Sequence, residues 1–173
     1  MAVGTIPRQT TQQRGQTSLR RVEITFQNTQ LDCPINLEPL REIVAHIIQQ
    51  EFATFEGEAC FHLVTKDRMA EVNYEFLKHE GPTDVITFDL AEDPNRIVFL
   101  AEIYICPAVA EDQAAEFGTS WQDEILRYHV HALLHLQGYD DLTPEDLKVM
   151  KHHEDRIMQA TREQFQLTQI TTG

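Results

Sequence analysis

Basic residues are scarce in this chain: 14 Lys and Arg stand against 28 Asp and Glu, for a net charge of −14. A protein that coats nucleic acid non-specifically is thereby disfavoured, because the phosphate backbone repels it overall. A nucleic-acid enzyme is not excluded, provided a local basic cleft or a bound cation offsets phosphate; Lys66, Arg68, Lys78, Arg96 and Arg127 are the cations available for such a patch. Long apolar runs are also missing. None approaches the roughly 20 residues that cross a bilayer, and residues 1–21 lack the apolar stretch of a secretory signal, so a cytoplasmic protein with no membrane partner is expected. Cysteine is rare, and Cys33, Cys60 and Cys106 form no C-x-x-C pair. They read as reduced packing thiols, which excludes a disulfide framework and a zinc ribbon.

What is present suits one soluble globular unit. Hydrophobic residues make up 42% of 173, enough to bury a core. Residues 1–20, rich in Gln, Thr and Arg, read as a flexible tail. A single domain is expected over 21–160, and 161–173, ending "QLTQITTG", as a frayed terminus. "VEITFQN", "ACFHLVT", "TDVITFDL" and "RIVFLAEIYI" carry the alternation or β-branched content of strands. Helices are expected over 36–52, 66–77, 107–117, 120–137 and 144–163, with Thr65, Ser120 and Thr143 as N-caps and Gly118 and Gly138 as C-terminal stops. The sum is a mixed α+β (α/β) fold, about four strands and about five helices, whose strand order the pattern does not reveal.

The chemistry concentrates in "HALLHLQGYDD", residues 131–141. At about 100° per residue His131 and His135 lie about 40° apart on one face, whereas His129 falls near 160°, away from them. Two imidazoles so placed can share one zinc ion. Gly138 lets the chain leave the helix in a left-handed turn, after which "YDD" brings carboxylates back towards the histidines. Three protein ligands with an open fourth position describe a catalytic zinc centre. The spacing is similar to that of zincin peptidases, yet the position of their glutamate base holds Ala132.

Glu154 falls in the apolar stripe of the last helix with Leu147, Met150, Ile157 and Met158. A carboxylate there needs a partner, and one role is to hold a ligand imidazole from behind. His152 and His153 lie off that stripe and read as solvated; His46 and His62 read as structural. "GPTDVITF" is a turn entering a buried strand, with Thr83, Asp84 and Thr87 as its polar members.

Taken together, Asn73, Phe76, "PTDVITF" at 82–88 and His131, Leu134, His135, Leu136, Gly138, Tyr139 and Asp140 resemble the YbeY family of bacterial single-metal endoribonucleases. The likeness runs in order over about 22–158. It implies a single-strand-specific, metal-dependent endoribonuclease in ribosomal RNA maturation and ribosome quality control, holding one Zn²⁺ through His131, His135 and Asp141. It also implies RNA as substrate, ribosome or small-subunit proteins as partners, and a site loop with Thr83, Asp84 and Thr87 against the substrate. Five positions depart from the family pattern: Asp141 stands where the family has a third histidine, Leu77 where it has an arginine, Ala101 and Glu102 where it has Gly-Asp, and Ala132 where it has a glycine. Lys78 and His79 are the neighbouring candidates to supply the missing catalytic cation. A zinc hydrolase of another substrate and a non-catalytic ribosome-associated protein with a structural metal are the alternatives.

Overall fold

The computed structural model describes residues 22–91 and 98–172, with no side chain described for Phe99. The expected tail over 1–20 and Arg96 lie outside the described residues. Four strands form one sheet in the order β1-β2-β4-β3: β1 Val22–Asn28, β2 Glu56–Leu63, β3 Val85–Asp89 and β4 Val98–Ile105. Strands β1, β2 and β4 are parallel, and β3 runs antiparallel along the edge of β4. Alternation along the strands separates two faces. Ala59, Phe61 and Leu63 of β2 and Ala101, Ile103 and Ile105 of β4 are buried in the main core. Their intervening neighbours Cys60, His62, Glu102 and Tyr104 are only partly covered.

The helices are α1 Leu37–Glu51, α2 Lys66–Val72, α3 Pro107–Phe117, α4 Trp121–Gln137 and α5 Pro144–Gln164. Their ends obey local chemistry: the hydroxyls of Ser120 and Thr143 accept from the N–H groups of Asp123 and Asp146, both at 3.1 Å. Leu40, Ile43, Val44 and Ile47 of α1 join Ile125, Leu126, Val130 and Leu133 of α4 and Ile157 and Met158 of α5 in the main core. A smaller cluster on the other face joins Met69 and Val72 of α2 to Ile86 and Cys106.

Two stretches differ from the sequence expectation. The helix expected over 66–77 is α-helical only to Val72. Asn73–Leu77 then form a π-helical turn that ends at Lys78, whose φ is +59°. The C-terminus, expected to fray from 161, is packed instead. Helix α5 continues to Gln164, Thr161 is buried, and a 3₁₀ turn over Leu167–Ile170 seats Ile170 in the core. Backbone bonds tie this turn to the start of α1, from Asn36 N–H to the Ile170 carbonyl at 2.6 Å and from Thr172 N–H to the Pro34 carbonyl at 2.8 Å. One apolar side chain with nowhere else to go outweighs a polar local sequence. Ile170→Ala is therefore expected to destabilise the chain by about 2–5 kcal/mol, read from the urea midpoint; no shift in midpoint would mean this end does not hold the fold.

Candidate metal centre

Helix α4 carries the site because its last two turns emerge from the core beside the edge strand β3. His129, buried completely, packs against the stacked Phe61 and Phe26 rings at centroid distances of 4.9 and 5.7 Å. Its Nδ1–H donates to the Ile125 carbonyl at 2.7 Å, Nε2 has no partner, and desolvation drives the ring's pKa down to about 4. It is a core residue, as the helical wheel requires. His131 and His135 open instead onto a cleft of about 700 Å³ bounded by β3, the loop before it and the turn after α4.

There the two imidazoles meet edge to face, with their Nε2 atoms 3.0 Å apart. The outer nitrogens are tied down: His131 Nδ1–H donates to Glu154 Oε1 at 2.6 Å and His135 Nδ1–H to the Tyr139 carbonyl at 3.0 Å. Both acceptors demand a protonated Nδ1, so both Nε2 lone pairs face inward. Two lone pairs at this separation repel unless a cation, a proton or a metal ion, lies between them. Gly138, at φ +101°, turns the chain so that Asp141 closes the third side, with Oδ2 3.7 Å from His131 Nε2 and Oδ1 3.9 Å from His135 Nε2. The Asp141 N–H is held by Asp140 Oδ1 at 2.8 Å.

Ligand atoms of all three residues lie within 4.8 Å of one another. A tetrahedral ion with bonds of about 2.0–2.1 Å needs its donors about 3.3–3.4 Å apart; the two Nε2 atoms stand a little closer than that, and each lies a little farther than that from its nearer Asp141 oxygen. The donors therefore fit a zinc-class ion. Burial pulls the His131 pKa down, but the hydrogen bond and charge of Glu154, with Asp141 and Asp84, outweigh it and raise the pKa above the ordinary histidine value. Glu154 is buried and also lies 3.4 Å from Arg127 Nη1, so its second oxygen is compensated as well.

Loop 78–84 borders the cleft through Thr83 and Asp84 and is pinned from beneath. The buried Asn73 donates from Nδ2 to the Gly81 carbonyl at 2.9 Å. Asp84 Oδ1 accepts from the Thr83 hydroxyl at 2.9 Å and from the Val85 N–H at 2.8 Å, so one carboxylate oxygen is spent shaping the strand entry. Thr83, Asp84 and Thr87 all line the cleft, and so does Leu77. Lys78 and His79 do not. Lys78 instead donates to the Glu75 carbonyl at 2.9 Å, because its left-handed backbone ends the π turn and redirects its side chain.

Among the described residues no Lys or Arg lines the cleft, whereas Asp84, Asp89, Asp140 and Asp141 do. Lys66 pairs with Asp112, Arg68 with Glu71, and Arg127 with Glu154 and Asp155. Of the cations available for a basic patch, the described ones (Lys66, Arg68, Lys78 and Arg127) do not line the cleft. His152 and His153 lie outside the histidine centre, with His153 4.5 Å from the Tyr139 ring. Sequence reasoning missed the Tyr139 carbonyl as the group that orients His135, since a backbone atom has no sequence signature.

Fold and cleft define the class: an α/β protein with a two-histidine, one-carboxylate candidate metal centre beside the edge of its sheet. A family described as Endoribonuclease YbeY matches residues 24–162. The chain belongs to the YbeY family. Among its relatives, the Endoribonuclease YbeY of Protochlamydia amoebophila is 35% identical over 138 residues, covering 79% of this chain and 91% of that one. That of Thermotoga petrophila is 36% identical over 104 residues, 60% of this chain. The match spans 65% of that relative's own length. The solution structure of TM1509 from Thermotoga maritima superposes with a TM-score of 0.60 at 29% identity, covering 83% of this chain and 90% of that one.

Proposed function

We propose that the chain is a metal-dependent endoribonuclease that cleaves single-stranded RNA in the cleft beside β3, with one Zn²⁺ held by His131, His135 and Asp141. The observation that carries this reading is the convergence of two inward-facing Nε2 atoms and the Asp141 carboxylate at the end of α4. A zinc-class ion there supplies Lewis acidity towards a phosphoryl oxygen and lowers the pKa of a water towards about 7. The chain's own residues set the stage. Glu154 and the Tyr139 carbonyl fix both rings with Nε2 inward, Thr83 and Thr87 offer hydroxyls along the substrate wall, and Tyr139 and Phe88 offer ring surface to unstacked bases.

A cleft lined by carboxylates and, among the described residues, by no Lys or Arg depends on its bound cation to admit phosphate. The family likeness supports ribosomal RNA as the substrate, ribosomal small-subunit proteins as partners, a role in ribosome quality control and a cytoplasmic setting. Among the described residues, no helix is long and apolar enough to cross a membrane. The acidic lining is also the observation that favours the second reading, a zinc hydrolase of a less anionic substrate. Zinc-loaded protein offered a single-stranded oligoribonucleotide, the same strand annealed to its complement, and uncharged ester and amide substrates separates the two. Cleavage of the single strand in preference to the duplex supports the nuclease; turnover of the uncharged substrates alone would replace it.

Two substitutions sharpen the proposal. Glu154→Gln keeps the shape but removes the charge behind His131, and is expected to weaken zinc binding or turnover by about 10–100-fold, measured by competition with a chromogenic chelator. Wild-type affinity in that variant would make Glu154 a packing residue only. Leu77→Arg would place a guanidinium on the cleft wall, where a bidentate phosphate contact is available. An increase in kcat/KM of about tenfold is expected from a charge-assisted bond of about 1.5 kcal/mol, whereas Lys78→Ala should change it little.

A further inference from the structure

The partly covered face of the sheet, opposite α4, carries its own cluster of chemistry-bearing side chains. Cys60 and His62 are two residues apart on β2 and so share a face. Glu102 on β4 stands directly opposite Cys60 in the parallel register. Their ligand atoms all lie within 4.8 Å of one another. His62 Nε2 meets a carboxylate oxygen of Glu102, and the His62 ring is stacked on Tyr104 at 4.5 Å and 14°. A depression of about 80 Å³ in front of Cys60 and Glu102 has Glu23, Thr25 and Glu58 on its wall.

We propose that Cys60, His62 and Glu102 form a second metal site, selective for a thiophilic divalent transition ion such as zinc. A His62–Glu102 pair alone would be an ordinary half-exposed ion pair of small worth. The thiol within reach of both makes the set thiolate, imidazole and carboxylate, which suits zinc and its neighbours and not Mg²⁺ or Ca²⁺. Binding replaces the Cys60 S–H bond with a sulfur–metal bond and releases that proton to solvent. Adjacent strands hold the donors rigidly, the stack on Tyr104 fixes the imidazole plane, and Glu23 and Glu58 add negative potential. Three donors leave a position open towards the depression.

Cobalt(II) distinguishes this site from the one on α4, because only a sulfur ligand gives a thiolate-to-cobalt charge-transfer band. Cys33 and Cys106 cannot substitute: both are buried, desolvation raises both thiol pKa values, and with Glu111 it takes that of Cys33 up to about 12. Full-length, metal-free protein titrated with Co²⁺ is expected to take up two equivalents and to develop the charge-transfer band with one of them. The same band is expected in the His131→Ala/His135→Ala variant, and Cys60→Ser should lose it while keeping one equivalent. Should the double variant not fold, wild type against Cys60→Ser decides the matter. Absence of the band in wild type, its persistence in Cys60→Ser, or saturation at a single equivalent without the band would overturn the second site. None of these outcomes bears on RNA cleavage at the sulfur-free centre.

Discussion

His135→Ala is expected to lose zinc by at least about a hundredfold in affinity and to cleave RNA no faster than background. The proposed α4 centre has three protein donors among the described residues, so removing one leaves an imidazole and an exposed carboxylate, a set that water competes with readily. The loss exceeds the about 10–100-fold typical of a residue that merely supports a ligand, which is the range expected for Glu154→Gln. The substitution is otherwise mild. His135 lies in the last turn of α4, partly exposed, and its backbone N–H and C=O stay in the helix. Unchanged circular dichroism together with loss of metal and turnover would place the defect in the centre itself. Metal content and single-turnover cleavage measured on the same preparation would check this, and full zinc occupancy in the variant would remove His135 from the ligand set.

Lowering the pH from about 6.5 to about 4 is expected to cost the fold about 3 kcal/mol through His129 alone. Burial lowers its pKa to about 4 in the folded chain, against 6.5 for an ordinary histidine. Above about 6.5 the ring is neutral folded or unfolded, and stability is unaffected. Between the two values the unfolded chain binds a proton that the folded chain refuses, so stability falls as pH falls; below about 4 both forms are charged and the loss levels off. A difference of about 2.5 pKa units at about 1.36 kcal/mol each gives the figure. His131 in the metal-free chain acts in the opposite sense. Its raised pKa contributes stability that is complete below about 6.5 and is lost as pH rises through the folded value. Comparison with His129→Phe isolates the buried ring, since phenylalanine suits a site against the stacked Phe26 and Phe61 rings and takes up no proton. Urea midpoints of metal-free wild type should drop between pH 7 and pH 4.5 by more than those of His129→Phe; equal drops would show that His129 is not buried as a neutral ring.

Elements governed by local chemistry could be read from the residues. Ser120, Thr143, Gly118 and Gly138 marked helix ends because capping needs only neighbours in sequence, and the 3.6-residue period alone separated His131 and His135 from His129. Glu154 drew notice as a carboxylate in an apolar stripe, although its partner, 23 residues away, could not be named. What stayed hidden depends on tertiary placement. The order β1-β2-β4-β3 rests on pairings between distant segments, and the packing of Ile170 on a core supplied by other elements. Lys78 and His79 looked suited to replace the arginine position at Leu77 because they are adjacent in sequence. The π turn and the left-handed Lys78 turn them from the cleft and leave Leu77 on its wall. His62 looked solitary, since its partner Glu102 is 40 residues on and meets it only across the sheet.

The central claim is that the α4 centre cuts RNA with a metal held by His131, His135 and Asp141. Its most direct test is cleavage of a labelled single-stranded oligoribonucleotide by wild type as purified, after chelation, and after zinc is restored, with His135→Ala treated in parallel. Activity should vanish on chelation and return with zinc in wild type only. Cleavage that survives complete metal removal, or that His135→Ala performs at the wild-type rate, would contradict it.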